Sequence, residues 1–227
     1  MEKCSWYKCV LFDMDGTLVN SYEGIFHAYR WTMEQMERDF GGDNFVRQAI
    51  GAPLIWVFEN LCGMDRIVAE RAAACYRTYY ANQGKHQAGV YDGMEETLRR
   101  LKEAGCFLGV ATLKKESFAK EMLEALGILS YFDMVCGMDA SDRLTKADLI
   151  RRCMQTAKSE KKETILVGDS AFDAAGAREA GIAFLAVTYG FGFQDRKQLA
   201  DCGAVMVAET AGEIADLLCR AGKDVEG

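Results

Sequence analysis

The chain has 227 residues, half of them hydrophobic, so it can bury a full-sized core in one domain or in a domain with an insert. It carries 34 acidic and 27 basic residues, a net charge of -7, which argues against a general nucleic-acid binder or a protein that binds acidic membranes. The N-terminus lacks the apolar stretch of a signal peptide and no apolar run reaches membrane-spanning length, so we expect a cytoplasmic protein without a membrane segment.

The cysteines and histidines argue against a zinc site. The nine cysteines are scattered without a CxxC pair, and the chain has only two histidines. Zinc ligands would have to come from distant segments. The odd cysteine count predicts reduced thiols, most of which pack as small apolar residues.

The first predicted strand delivers two carboxylates into a turn. Cys9–Phe12 is a short apolar run, and Asp13, Met14, Asp15, Gly16 and Thr17 follow it directly. Two carboxylates one residue apart can share a divalent cation and divide nucleophilic and acid–base roles. For this segment alone, a solvated acidic turn is the alternative interpretation.

The next stretch, from Asn20 to about Gln87, is predicted to be helical because it holds no convincing alternating strand. One helix is predicted at residues 66–80. A second helix is predicted nearer the start of the segment, where apolar residues recur at spacings of three and four. These are Phe26, Tyr29, Met33, Met36 and Phe40. We therefore expect a helical cap at residues 20–87, inserted into a core formed by residues 1–19 and 88–227.

Short apolar strands then alternate with helices. The further predicted strands are Phe107–Thr112, Met134–Cys136, Thr164–Val167, Ala183–Val187 and Ala204–Val207. A capping box of Asp92 and Glu95 is predicted to begin the helix that ends at Gly105. The alternation predicts an α/β fold, with a mostly parallel sheet and helices on both of its faces.

Polar side chains stand at the carboxyl ends of three of the predicted strands. They are Asp13, Thr112 and Asp169. In an open parallel sheet the carboxyl ends of the strands lie at one edge, and ligands bind there. We therefore expect these side chains to converge on one cleft.

The residue types in this predicted cleft suit phosphoryl transfer. Asp13 is the predicted nucleophile, which would form an aspartyl-phosphate, and Asp15 is the predicted general acid and base. Mg²⁺ takes few protein carboxylates and keeps waters and substrate phosphate oxygens. The sequence thus predicts Mg²⁺ as cofactor, bound by Asp13, Asp169 and the backbone carbonyl of Asp15.

Two further residues are predicted to bind the phosphate. The Thr112 hydroxyl and nearby backbone N–H groups would hold phosphate oxygens. Lys146, at a helix start, would bring a compact positive charge to the nucleophile and to the phosphate.

Three residues are predicted to support these groups. Asp173, one helical turn after Asp169, would orient a metal-bound water or Lys146. Gly16 would let the backbone turn close to the phosphate, and the Thr17 hydroxyl would brace Asp15.

The ordered set resembles the phosphatases of the haloacid dehalogenase superfamily, most closely the phosphoglycolate phosphatase-like branch. The resemblance covers nearly the whole chain and lies in DxDGT at 13–17, Thr112, Lys146 and GDSxxD at 168–173. Segments 89–93 and 187–192 also resemble segments of that branch. The resemblance implies a Rossmann-like core, an inserted α-helical cap, and Mg²⁺-dependent phosphomonoester hydrolysis through an aspartyl-phosphate.

Two positions depart from the family pattern. Leu113 stands beside the predicted phosphate where relatives often carry a small or polar residue, so one side-chain donor is missing. Asp92 stands where many relatives have proline. The absence of that proline would loosen the connection to the cap. Neither departure removes a catalytic group.

Substrate choice is expected to come from the cap closing over the cleft. Arg47 is the predicted contact for a second anionic group such as a carboxylate, and a solvated helix arginine is the alternative interpretation. Tyr22 and Lys114 are weaker candidates near the cleft mouth. We expect a small phosphorylated acid or sugar as substrate, and a monomer or a homodimer.

Other activities of the superfamily stay open at this point. A nucleotidase or a pyrophosphatase would differ only in the cap. A phosphomutase would want a cap histidine where this chain has Ile25, and His27 is interpreted as a packed or half-exposed helix residue. A dehalogenase is disfavoured because it would not need Asp15. A phosphonatase is disfavoured because it would need a cap lysine, for which the chain offers no convincing candidate. A phosphate-binding regulatory protein would be expected to have lost Asp13 or Asp15.

Overall fold

The computed structural model describes residues 7–139, 143–193 and 196–220. The strands are β1 (Cys9–Phe12), β2 (Val19–Asn20), β3 (Gly89–Val90), β4 (Phe107–Lys115), β5 (Met134–Met138), β6 (Thr164–Gly168), β7 (Ala183–Val187) and β8 (Met206–Ala208). The helices are α1 (Tyr22–Gln35), α2 (Gly42–Ala49), α3 (Leu54–Asn60), α4 (Arg66–Asn82), α5 (Met94–Glu103), α6 (Glu116–Ala125), α7 (Lys146–Ala157), α8 (Ala171–Ala180), α9 (Arg196–Asp201) and α10 (Ala211–Arg220).

A parallel sheet organises the fold, with strand order β5-β4-β1-β6-β7-β8. Strand β1 pairs in parallel with both β4 and β6. The chain fills one side of β1 with β4 and β5 and then the other side with β6, β7 and β8. The carboxyl end of β1 therefore lies where the direction of winding reverses, which is where open α/β sheets bind ligands. The predicted Rossmann-like fold class is confirmed.

Strand β1 is buried at all four residues because both faces of the sheet are covered. Val10 and Phe12 belong to one hydrophobic cluster, and Cys9 and Leu11 belong to another. This alternation follows from the strand geometry, which points successive side chains to opposite faces. A strand buried on both sides therefore needs an unbroken apolar sequence.

Helices α1 to α4 form a helical insert between β2 and β3. These two short strands pair antiparallel, with Val19 opposite Val90, so the chain leaves and re-enters the core side by side. The aromatic stripe predicted in the first helix packs inside the insert: the Tyr29 ring lies 5.2 Å from Phe45 and 4.7 Å from Tyr76. The predicted helical character of this segment is confirmed, and the stripe is packing.

Two local predictions differ from the structure. Strand β4 runs three residues beyond Thr112 to Lys115, because the strand resumes pairing with β5 after a register irregularity between Ala111 and Lys115. Helix α5 begins after Gly93 at φ 82°, with no side-chain cap. The predicted capping box of Asp92 and Glu95 is therefore absent: Gly93, in the left-handed conformation, is the N-cap, and the Glu95 carboxylate accepts a hydrogen bond from Tyr131.

The cysteine prediction is correct in part. Cys9, Cys136 and Cys153 are buried free thiols. Cys106 is disulfide-bonded, so the expectation of reduced thiols is wrong there. Among the residues described, no helix combines the length and the hydrophobicity needed to cross a membrane.

Candidate active site

Three acidic side chains meet at the carboxyl ends of the central strands. Asp13 follows β1, Asp169 follows β6, and Asp173 lies in the first turn of α8. One carboxylate oxygen from each lies within 4.8 Å of the others, and all three residues are buried. The in-register pairing of β1 with β6 places these strand ends side by side. The expected convergence of distant segments is therefore present.

Lys146 contacts two of the three members of this acidic cluster. Its side chain is 5% exposed, and its Nζ lies 2.6 Å from Asp13 Oδ1 and 2.7 Å from Asp173 Oδ1. The Nζ also donates a hydrogen bond of 2.9 Å to the backbone carbonyl of Ala111. A capping box on Thr145 begins α7 at this residue, so the predicted helix-start position is correct.

The buried cluster contains three carboxylates and one ammonium, that of Lys146. Burial, followed by Asp173, raises the pKa of Asp13 to about 7, although Lys146 acts in the opposite direction. Burial, Asp173 and Asp13 also raise the pKa of Asp169 well above its usual range. One ammonium therefore faces three carboxylates. This donor set fits a hard divalent cation such as Mg²⁺, which would offset the repulsion.

The Asp15 side chain is not part of the acidic cluster of Asp13, Asp169 and Asp173. Its Oδ1 accepts a hydrogen bond from the Ser21 hydroxyl, and its Oδ2 lies 3.1 Å from the Nζ of Lys114. Ser21 precedes α1 but makes no side-chain cap there, because its hydroxyl turns to Asp15. Ser21 is not predicted as a site residue, because its only signal in the sequence is a hydroxyl residue just before a predicted helix.

Asp169 is held by two backbone N–H groups in the loop after β7. Its Oδ2 accepts hydrogen bonds from Phe191 N at 2.7 Å and from Gly192 N at 3.0 Å. The Thr17 hydroxyl lies 3.5 Å from Asp169 Oδ1 and donates to it. Thr17 therefore braces Asp169, and the prediction that it braces Asp15 is wrong.

Gly16 makes room for Asp169. It has φ 80°, and a Cβ there would lie 2.3 Å from Asp169 Oδ2. The sequence predicts that Gly16 brings the backbone close to a phosphate. In the structure the close neighbour is a carboxylate of the site itself.

Asp173 both caps α8 and contacts Lys146. Its Oδ2 accepts hydrogen bonds from the Ser170 hydroxyl at 2.6 Å and from Ser170 N at 3.1 Å. Its Oδ1 forms the ion pair with Lys146. The predicted orientation of Lys146 by Asp173 thus agrees with the geometry.

A cavity of about 90 Å³ lies between the sheet and the helical insert. Its polar floor includes Asp13, Asp15 and Thr112, followed along β4 by Leu113, Lys114 and Lys115. The insert contributes Ile25, Tyr29, Ala49, Ile50, Gly51, Ala52, Leu54, Tyr76, Arg77 and Tyr80. The proposed nucleophile and the proposed acid–base residue thus open into one space with an aromatic wall.

The cations of the insert differ from the prediction. Arg47 is exposed, is not among the residues that line the cavity, and lies with its guanidinium carbon 5.6 Å from the Tyr22 ring centroid. Arg77 of α4 lines the cavity instead. The sequence places Arg77 in a predicted helix, but the helical pattern alone does not indicate that it faces the site.

His27 and Tyr22 are both absent from the residues that line the cavity. His27 is half-buried, with Nδ1 3.0 Å from Gln87 Oε1, which agrees with its interpretation as a packed helix residue. Tyr22 donates a hydrogen bond to Asp43, and its ring lies 5.7 Å from the Phe191 ring. Tyr22 therefore joins the insert to the loop that holds Asp169.

Comparison with known proteins gives one consistent family. The sequence model described as "Haloacid dehalogenase-like hydrolase" matches residues 10–187. A protein of Dickeya dadantii named "Probable phosphatase IndB" is 33% identical over 90% of both chains. A Pseudomonas aeruginosa protein named 5'-nucleotidase is 31% identical over 83% of this chain and 86% of its own. The crystal structure of a predicted phosphatase from Clostridium acetobutylicum superposes with a TM-score of 0.89 at 32% identity, covering 94% of this chain and 99% of that one.

Proposed function

Because the chain belongs to the haloacid dehalogenase-like hydrolase family and is a phosphatase of that family, we propose that it hydrolyses a small phosphomonoester in two steps. Asp13 is the nucleophile and Asp15 is the general acid and base. The observation that carries this proposal is the common cavity into which both carboxylates open, with Lys146 bound to the first.

In the first step Asp13 attacks phosphorus. Lys146 engages Oδ1, so Oδ2, which accepts no hydrogen bond from the described residues, is the attacking oxygen. The bond from phosphorus to the leaving oxygen breaks, and Asp15 supplies the proton that this oxygen needs. Thr112 Oγ1 accepts a hydrogen bond from Lys114 N, which leaves its own proton to donate to a phosphate oxygen.

In the second step a water attacks the phosphorus of the aspartyl-phosphate. Asp15 removes a proton from that water, the bond to Asp13 breaks, and inorganic phosphate leaves. Lys146 again compensates the charge on the Asp13 carboxylate.

We propose Mg²⁺ as the cofactor. Asp13 and Asp169 would hold it with the backbone carbonyl of Asp15, and Asp173 lies close enough to take part. When bound, the ion supplies charge neutralisation at the phosphoryl oxygens. The backbone N–H groups at Phe191 and Gly192 keep Asp169 oriented toward the same place.

The cavity favours a compact substrate. Its volume of about 90 Å³ is well below the ~300–1,000 Å³ of usual small-molecule pockets. A phosphorylated small acid or sugar suits that space better than a nucleoside monophosphate. We propose that the helical insert, residues 20–87, acts as the cap that sets this limit.

Inorganic pyrophosphate is the second candidate substrate. Lys114, Lys115 and Arg77 all line the cavity, and these cations favour a leaving group that is itself an anion. The same cavity size admits pyrophosphate. The mutase alternative receives no support, because Ile25 lines the cavity at the position where a mutase would need its histidine.

The test is phosphate release from a panel that grades leaving-group size and charge. It contains phosphoglycolate, sugar phosphates, pyrophosphate and nucleoside monophosphates, each with Mg²⁺ and each repeated with Asp13→Asn. We expect the highest kcat/KM on a compact substrate and loss of turnover in Asp13→Asn. Preference for nucleoside monophosphates would contradict the size argument, and turnover that survives in Asp13→Asn would contradict the mechanism.

A further inference from the structure

Lys114 is a buried cation that connects Asp15 to the helical insert. Its side chain is 7% exposed, and its Nζ lies 3.1 Å from Asp15 Oδ2. The same nitrogen donates a 2.7 Å hydrogen bond to the hydroxyl oxygen of Tyr80 and lies 4.1 Å from the centroid of that ring. Two groups thus fix this ammonium, and one of them belongs to the insert.

Tyr80 reaches from α4 of the insert into the core. It is 1% exposed, and its hydroxyl donates to the sulfur of Met122 in α6 at 3.5 Å. Because the hydroxyl proton points to Met122, the lone pairs of the oxygen are available to the Lys114 ammonium. The ring is stacked on Tyr76 and lies 6.0 Å from Phe118, so aromatic contacts from α4 and α6 help to hold the side chain in place.

Both oxygens of Asp15 are therefore fixed by groups outside the acidic turn. Ser21, the residue before the first helix of the insert, engages Oδ1, and Lys114 engages Oδ2. A carboxylate that serves as acid and then as base has to be directed at the leaving oxygen and later at the water. Its orientation thus depends on residues that the insert supplies or holds.

We propose that Lys114 and Tyr80 are positioning residues for Asp15, with Tyr80 acting through Lys114. The insert thereby completes the acid–base group as well as limiting the size of the substrate. This inference rests on the proposed function, and it adds a role for two residues outside the acidic motifs.

The test is Tyr80→Phe, which removes one oxygen and keeps the ring. We expect kcat to fall about tenfold, a part of the ~10²–10⁴-fold that acid–base catalysis contributes. KM should stay within about twofold, because the groups that hold the phosphate are unchanged. Tyr79→Phe is the matched control: it is the same substitution at the next residue, whose ring packs on Trp31 and does not line the cavity.

A double-mutant cycle with Lys114→Met separates positioning from simple packing. If Tyr80 acts through Lys114, Tyr80→Phe should change kcat by less than about twofold in the Lys114→Met background. Tyr80→Phe alone carries the test if Lys114→Met does not fold. All rates are compared well below the melting temperature of each variant.

Three outcomes would overturn the inference. They are a kcat of Tyr80→Phe equal to that of Tyr79→Phe, a change confined to KM, and effects of the two substitutions that multiply independently. Wild-type protein that releases phosphate from no substrate in the panel would overturn the proposed function together with the inference. An active wild type with an unaffected Tyr80→Phe would overturn the inference alone.

Discussion

The Nζ of Lys146 lies 2.6 Å from Oδ1 of Asp13, although the two residues are far apart in the chain. This buried pair joins the start of α7 to the end of β1. It engages Oδ1 and leaves Oδ2 as the proposed attacking oxygen, so it links the fold directly to the proposed nucleophile.

Lys146→Met should lower kcat by about 100-fold or more, because it removes a preorganised charge beside the nucleophile and the phosphate. Lys146→Arg should not restore activity, since a planar guanidinium does not fit the space of a compact ammonium. Lys120→Met, at an exposed lysine paired with Glu116, is the control and should change kcat by less than about twofold. Steady-state kinetics of the three variants decide this, and a Lys146→Met enzyme with wild-type kcat would contradict the role.

Gly16→Ala should disrupt the acidic cluster of Asp13, Asp169 and Asp173. The new Cβ would lie 2.3 Å from Asp169 Oδ2, so the carboxylate has to move. We expect kcat to fall about 100-fold and the apparent affinity for Mg²⁺ to fall about tenfold. Gly105→Ala is the control for backbone strain, since it has φ 83° with nothing within 4 Å of its Cβ. Equal losses in both variants would assign the effect to strain alone.

The pH dependence of stability should report Asp13. Burial and Asp173 raise its pKa to about 7, from about 3.9 in an unfolded chain. Between these values the folded state binds more protons, so the contribution of this group to stability is present at low pH and is lost as pH rises through 7. We expect the melting temperature of the metal-free protein, relative to Asp13→Asn, to decrease from about pH 4 to pH 7.

Adding Mg²⁺ should offset this loss, and the stabilisation should be greatest above about pH 7, where the carboxylates are ionised. Thermal unfolding in chelator and in Mg²⁺ across this range measures both effects. A difference between wild type and Asp13→Asn that stays flat with pH, or a Mg²⁺ effect that is larger at low pH, would contradict the assignment.

Arg77 and Arg47 should differ in their effect on substrate binding. Arg77 lines the cavity, whereas Arg47 is exposed against Tyr22. Arg77→Ala should raise KM about tenfold for phosphomonoesters that carry a second anion, with little change in kcat. Arg47→Ala should leave kcat/KM within about twofold for every substrate. The opposite pattern in steady-state kinetics would restore the sequence-based assignment.

The sequence predicted where the acidic groups of the site meet, because Asp13 and Asp169 come at the ends of apolar strands. Asp13 and Asp169 are read this way, since buried parallel strands need unbroken apolar runs and their ends meet at one edge. Lys146 is predicted only as a member of the ordered set that resembles the family, since a helix-start lysine by itself is usually solvated. The ends of the strands were predicted less accurately. Strand β4 was predicted to end at Thr112, but it continues to Lys115 after a register irregularity.

The groups that hold these side chains in place were harder to predict. Ser21 takes the role beside Asp15 that was predicted for Thr17, and Thr17 donates to Asp169 instead, because short hydroxyl side chains bond to whichever acceptor the turn brings near. The Tyr80–Lys114 contact joins α4 to β4 across 34 positions and depends on how the insert sits on the sheet. Periodicity indicates which residues of α4 share a face, but it does not say what that face meets.

Asp13 is proposed to carry the phosphoryl group during turnover, and trapping that group on the protein is the direct test. Wild-type protein turning over a compact phosphomonoester with Mg²⁺ is quenched, treated with hydroxylamine to capture acyl phosphates, and digested for peptide mass spectrometry. We predict modification at Asp13, dependent on substrate and on Mg²⁺ and absent in Asp13→Asn. Rapid turnover with no modification at Asp13, or with the modification on another carboxylate, would contradict the account.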